Sequence, residues 1–108
     1  MERDYQLVLQ LPEDCPLTRL DFEDDIAEAL GNPLDDSGYP HLVDGNSYGA
    51  GTIEFFIHTN DPLAAFELTK PLLASNGLLG LVTAGFRRFT EDGYQVIWPV
   101  GYSGNFAP

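Results

Sequence analysis

Residues Asp44 to Pro62, DGNSYGAGTIEFFIHTNDP, decide the fold. They open on a glycine-rich turn, continue as a strand from Gly51 to Thr59, and close on the helix-start signal Asp61-Pro62. Ile53, Phe55 and Ile57 fall on one face of that strand. Thr52, Glu54 and His58 fall on the other, with Phe56 as the one apolar exception. Alternation with period two marks a strand that buries one face.

The stretch before it, from Pro40 to Asp44, reads as a short strand that reaches the Gly51 strand through the loop GNSYGA. Symmetric pairing about that loop places Leu42 opposite Ile53 on the buried face and His41 opposite Glu54 on the other. Downstream, Asp61 caps a helix and Pro62 takes its first position, where a missing N–H costs nothing. Leu63, Phe66 and Leu73 are its expected core residues. Pro71 predicts a kink, or a break into two short helices. Asn76-Gly77 ends the segment, and Leu78 can fold back as the apolar contact of a glycine cap. Leu81 to Thr90 is the next strand, with Val82, Ala84 and Phe86 toward the core. The turn Glu91-Asp92-Gly93 leads into a last strand, Tyr94 to Trp98, which Pro99 ends. The tail GYSGNFAP is aperiodic, but Tyr102 and Phe106 imply that part of it packs down.

At the other end, Leu7, Leu9 and Leu11 alternate with Gln6, Val8 and Gln10, and Pro12 stops that strand. A helix follows from about Arg19 to Leu30. Thr18 or Asp21 can cap it, and Asp21, Glu23, Asp24 and Asp25 crowd its dipole-positive end. Phe22, Ile26 and Leu30 form its apolar stripe, Gly31 stops it, and residues 32–39 form a loop rich in Pro, Asp, Ser and Gly.

The order strand, helix, strand, strand, helix, strand, strand predicts an α+β fold. It is a ferredoxin-like βαββαβ sandwich with an extra C-terminal edge strand. The sheet is five-stranded and mainly antiparallel, with both helices on one face. All 108 residues form a single domain, with residues 99–108 as an irregular tail. The crossover rule further predicts that the Tyr5 and Gly51 strands are neighbours and parallel.

Several of these residues carry a likeness. Asp44, Gly45, Gly49 and Gly51 spell D-G-x(3)-G-x-G before a strand, and Thr59, Asp61 and Pro62 spell T-x-D-P before a helix. With the acidic first helix and Trp98-Pro99, the chain resembles a group of small uncharacterised bacterial cytosolic proteins. The likeness implies the same fold and a bacterial cytosolic origin, and it implies no activity.

Composition narrows the function classes. The hydrophobic share of 44% and seven Phe supply a core. Seventeen acidic against five basic residues leave a net charge of −12, which repels nucleic-acid phosphates and anionic lipid headgroups. No nucleic-acid or membrane partner is therefore expected. Cys15 is the only cysteine, so neither an internal disulfide nor a cysteine zinc site can form, and its acidic neighbour Asp14 disfavours a thiolate. The first residues do not read as a signal peptide. No stretch approaches the ~20 apolar residues of a membrane span, and the expected compartment is the cytoplasm.

Motifs for specific chemistry fail one by one. The glycines at 45, 49 and 51 lead into a strand, whereas a phosphate cradle leads into a helix N-terminus. Counting back from Gly38, Gly45 and Gly93 puts Pro33, Pro40 and Arg88 at the first position of a calcium loop, where an acid is needed. No metal or other cofactor is expected. His41, Glu54 and His58 form the one acid–base cluster. Glu54 and His58 are ~13 Å apart along their strand, so only the His41–Glu54 pair can touch. No nucleophile stands beside them, and no catalytic residue is assigned.

The function expected from the residues is a non-enzymatic acidic protein-interaction or regulatory domain, with the immunity or inhibitor type as its specific form. It binds a protein with a basic surface or a second copy of itself. Asp24 and Asp25 on the acidic helix, and Phe56 on the helix-free face of the sheet, are its candidate contacts. That face is expected to be covered by the tail or by a second copy. The alternative is a small-ligand sensor or enzyme with a pocket near His41, Glu54 and His58.

Overall fold

β1 (Tyr5–Pro12) is the central strand of the sheet, and the rest of the chain is arranged on either side of it. The computed structural model describes residues 4–14, 19–31, 41–49, 51–102 and 106. Their elements are α1 (Arg19–Ala29), β2 (His41–Gly49), β3 (Thr52–Thr59), α2 (Pro62–Ser75), β4 (Thr83–Arg88) and β5 (Gln95–Trp98). The sheet runs in the order β2-β3-β1-β4-β5, with every pairing antiparallel. This is the expected α+β class of five antiparallel strands and two helices, and β5 extends the sheet beyond a strict ferredoxin-like pattern.

β1 and β3 are neighbours, as the pattern predicts, but they are antiparallel rather than parallel, with Leu7 opposite Ile57 and Leu11 opposite Ile53. The reason is topological. The crossover through α1 returns the chain parallel to β1 in β2, and the hairpin then reverses it into β3. The parallel pair is thus β1 and β2, with β3 inserted between them.

The leucines of β1 and Ile53, Phe55 and Ile57 of β3 form one wall of the core. Phe22 and Ile26 from α1, Leu30 just past its end, and Ala65, Phe66 and Leu73 from α2 close it from the same side. Phe55 is fully buried, and its ring meets the edge of Phe22 at 5.4 Å. Leu63, an expected core residue, is instead 57% exposed. The buried stripe of α2 is Pro62, Ala65, Phe66, Thr69 and Leu73, and Leu63 falls outside that arc.

Both ends of α2 are closed by local chemistry. Asp61 Oδ1 accepts from the Ala64 N–H at 3.1 Å. At the other end Gly77 sits at φ +71, its N–H bonds the Ala74 carbonyl, and the Leu78 N–H reaches back to Leu73 at 2.8 Å. These are the paired bonds of a Schellman cap, with Leu78 fully buried as its apolar contact. Pro71 does not break α2 in two. It is exposed, as is Glu67 one turn earlier, so water can serve the carbonyl left without a partner.

The β2–β3 hairpin is longer than the loop GNSYGA implies. β2 continues through those residues to Gly49, where it pairs with Thr52. The register shifts between Val43 and Gly45. The expected pairings therefore change. His41 lies opposite Thr59, Leu42 opposite His58, and Ser47 takes the place opposite Glu54.

Candidate functional site

The helix-free face of the sheet carries Gln6, Val8 and Gln10 of β1, flanked by His58, Phe56 and Glu54 of β3 and by Arg87, Gly85 and Thr83 of β4. The centre of this face is apolar. Val8 is fully buried, with half-buried Phe56 beside it. On Gly85 the tail residue Phe106 lays its ring, which also meets Tyr94 edge-on at 5.5 Å. Of the expected cover by the tail or a second copy, the described residues show the tail at that one position. Trp98, by contrast, packs on the helix side, 5.9 Å from Phe66, with the Lys70 ammonium 4.9 Å above its ring. A register shift between Ala84 and Gly85 turns Trp98 to the face opposite Tyr94.

Polar groups surround that centre. Tyr94 O–H donates to Gln6 Oε1 at 2.9 Å, and Arg87 Nε donates to the Tyr94 oxygen at 3.3 Å. Arg87 also bonds the backbone carbonyls of Arg88, Phe89 and Glu91. Glu54 is only 7% exposed. Its Oε2 accepts from the Thr52 hydroxyl and, at 3.4 Å, from the Gln10 amide. His58 Nε2 lies 3.2 Å from Asp44 Oδ2, and its ring meets Phe89 edge-on at 4.8 Å.

His41, Glu54 and His58 do not line one pocket. His41 is buried on the helix side of the sheet, with Nδ1 2.7 Å from the Thr59 hydroxyl, and that hydroxyl also accepts the Asp61 N–H. Glu54 has an amide and a hydroxyl as neighbours, and His58 has a carboxylate and an aromatic ring. Among the described residues no group of three or more His, Cys, Asp or Glu is placed to hold a metal ion. Cys15 and the expected loop of residues 32–39 lie outside the described residues.

The second candidate surface is the flank made by α1 and β2. Asp24, Asp25 and Glu28 are exposed on α1. Glu23 accepts from the Asn46 amide at 3.3 Å, tying α1 to the β2 edge. Glu13 accepts from the Tyr48 hydroxyl, and Tyr48 is 54% exposed. The ion pairs among the described residues are His58–Asp44 and Lys70–Glu67, and none of these pairs involves Glu13, Glu23, Asp24, Asp25 or Glu28. Lys70, Arg87 and Arg88 belong to α2 and β4. Tyr48 and Asn46 were missed as site residues because GNSYG reads as a loop. The alternation of exposed side chains that would reveal a strand is absent from it.

No helix among the described residues is long and apolar enough to cross a membrane. No family model, curated protein or solved structure matches the chain.

Proposed function

We propose that the chain is a non-enzymatic, acidic interaction domain that docks onto a basic protein surface in the cytoplasm. Its specific form is an inhibitor or immunity protein, which presents carboxylates to a surface built for an anion. The observation that carries this reading is the α1 flank, where Asp24, Asp25 and Glu28 are exposed with no cation paired to them among the described residues. Like charges gathered without counter-charges destabilise the folded chain slightly, and a basic partner relieves that repulsion. Opposite charge on the partner also accelerates encounter.

The test begins with capture of partners from native cytosol at low salt. Stopped-flow association is then measured for wild type and for Asp24→Lys/Asp25→Lys across a salt series. Wild-type association should slow steeply as salt rises, because exposed charges are screened beyond ~8 Å at physiological ionic strength. The double reversal should associate more slowly at low salt and converge on wild type at high salt. Equal rates at low salt would leave solubility as the role of the acids.

A further inference from the structure

α2 is almost free of charge in a chain whose net charge is −12. α1 reads RLDFEDDIAEA, with five acids, whereas α2 reads PLAAFELTKPLLAS and holds only Glu67 and Lys70. Those two side chains pair at 3.0 Å, so the helix is neutral. Its buried side, with Ala65, Phe66, Thr69 and Leu73, faces the core. Its exposed residues are Leu63, Glu67, Leu68, Pro71, Ala74 and Ser75. The solvent side of a helix ordinarily carries charged and polar groups, and a helix that is apolar nearly all round is one that something covers. The order of residues on that side singles out the cover. At 3.6 residues per turn, Leu63, Glu67, Lys70 and Ala74 fall in one stripe ~60° wide along the helix. The stripe is complementary to itself when reversed. A two-fold axis midway between Leu68 and Thr69 sets Leu63 against Ala74, and Glu67 against Lys70, of an antiparallel copy.

We infer that the outer side of α2 is the contact surface between two copies of this chain, packed antiparallel about that two-fold axis. The inference goes beyond the acidic-flank reading and does not rest on it. Charge selects the second copy as occupant. Each Glu67–Lys70 pair meets its mirror image, so four charges of alternating sign come together, and the large Leu63 lies on the small Ala74. A basic partner gains nothing on this helix, because its single carboxylate already has an ammonium beside it. Size and net charge then set the strength. α2 is ~21 Å long, and one helix side covers less than the ~800 Å² per partner of a standard interface. Two chains of charge −12 also repel. The dimer is therefore weak and reversible, and it tightens as salt rises, opposite in sign to docking of the α1 flank on a basic partner. Once formed, it carries two acidic flanks on one particle.

Sedimentation of the purified full chain across a series of concentrations and salt tests this. Wild type should show a monomer–dimer equilibrium that shifts toward dimer as salt rises. Leu63→Glu should weaken the dimer about tenfold or more while leaving the fold intact, because the side chain it replaces is exposed. Glu67→Lys should weaken it as well, and Glu67→Lys/Lys70→Glu should restore most of the loss, with unfolding curves confirming that each variant is folded. Asp24→Lys/Asp25→Lys should tighten the dimer by lowering the net charge, while it slows association with a basic partner. Lys70 is the only lysine in the chain, which makes carbodiimide coupling specific. A mixture of isotope-labelled and unlabelled protein should yield Lys70–Glu67 links that join one labelled and one unlabelled copy. A monomer at every concentration and salt overturns the inference. So does a dimer that Leu63→Glu leaves intact, since the contact then lies elsewhere. A dimer that Leu63→Glu breaks but Glu67→Lys does not overturns the two-fold pairing. None of these outcomes touches the acidic-flank reading, which stands or falls on the rates for Asp24→Lys/Asp25→Lys.

Discussion

A Cβ added to Gly85 would stand 2.7 Å from Cε2 of Phe106, so the ring of the tail fills the space that the strand residue leaves empty. The contact attaches Phe106 to the helix-free face, and Tyr94 meets the same ring edge-on.

Gly85→Ala should therefore expel Phe106. The expected cost in urea unfolding is about 1 to 3 kcal/mol, the range for overpacking a filled site. In a Phe106→Ala background the cost should shrink, because the ring is gone and the remaining tight contact is the Gln95 carbonyl at 3.3 Å. A Gly85→Ala cost that is the same in both backgrounds would show that the two residues are not coupled.

Phe55→Ala should cost about 3–5 kcal/mol, since the side chain is fully buried between the sheet and Phe22. Chemical denaturation measures this directly. A loss below about 1 kcal/mol is incompatible with the described core.

The Thr59 hydroxyl joins His41 of β2 to the Asp61 N–H that precedes α2, and its side chain is fully buried. Thr59→Val keeps the shape and removes both contacts. The expected loss is about 1–3 kcal/mol. Amide exchange should quicken at Asp61 and at the first turn of α2 before it changes in β1. Uniform acceleration across the sheet would argue against a local linchpin.

Asp24→Lys/Asp25→Lys should leave unfolding free energy within about 0.5 kcal/mol of wild type, because both side chains are exposed on α1. A larger loss would mean that these carboxylates serve the fold, and that slower association by the variant has a structural cause.

The alternation of Leu7, Leu9 and Leu11 and of Ile53, Phe55 and Ile57 made the core wall legible, because only one face of each strand is buried against helices. Asp61-Pro62 and Asn76-Gly77 likewise marked the ends of α2, since capping chemistry is local. Strand direction was not legible, because alternation is the same whichever way a strand runs. Register failed for a related reason. Gly45, Gly49 and Gly51 all adopt positive φ, and their residues read as one wide loop. In fact Gly45 accompanies a register shift, while Gly49 pairs with Thr52 and Gly51 lies in the turn between them. That one misreading moved His41 to the wrong face and hid the length of β2. The position of Phe106 depends on a glycine in a distant strand, a complementarity that no local pattern displays.

The central place of β1 has a consequence for biosynthesis. Both of its ladders join it to strands that come much later in the chain; Gln10 and Glu54, for instance, are separated by 44 positions. At ~5–20 residues per second on the ribosome, YQLVLQL waits several seconds with neither edge satisfied. A leucine-rich segment in that state is what holdase chaperones capture. Shielding the nascent chain should therefore raise the yield of this protein.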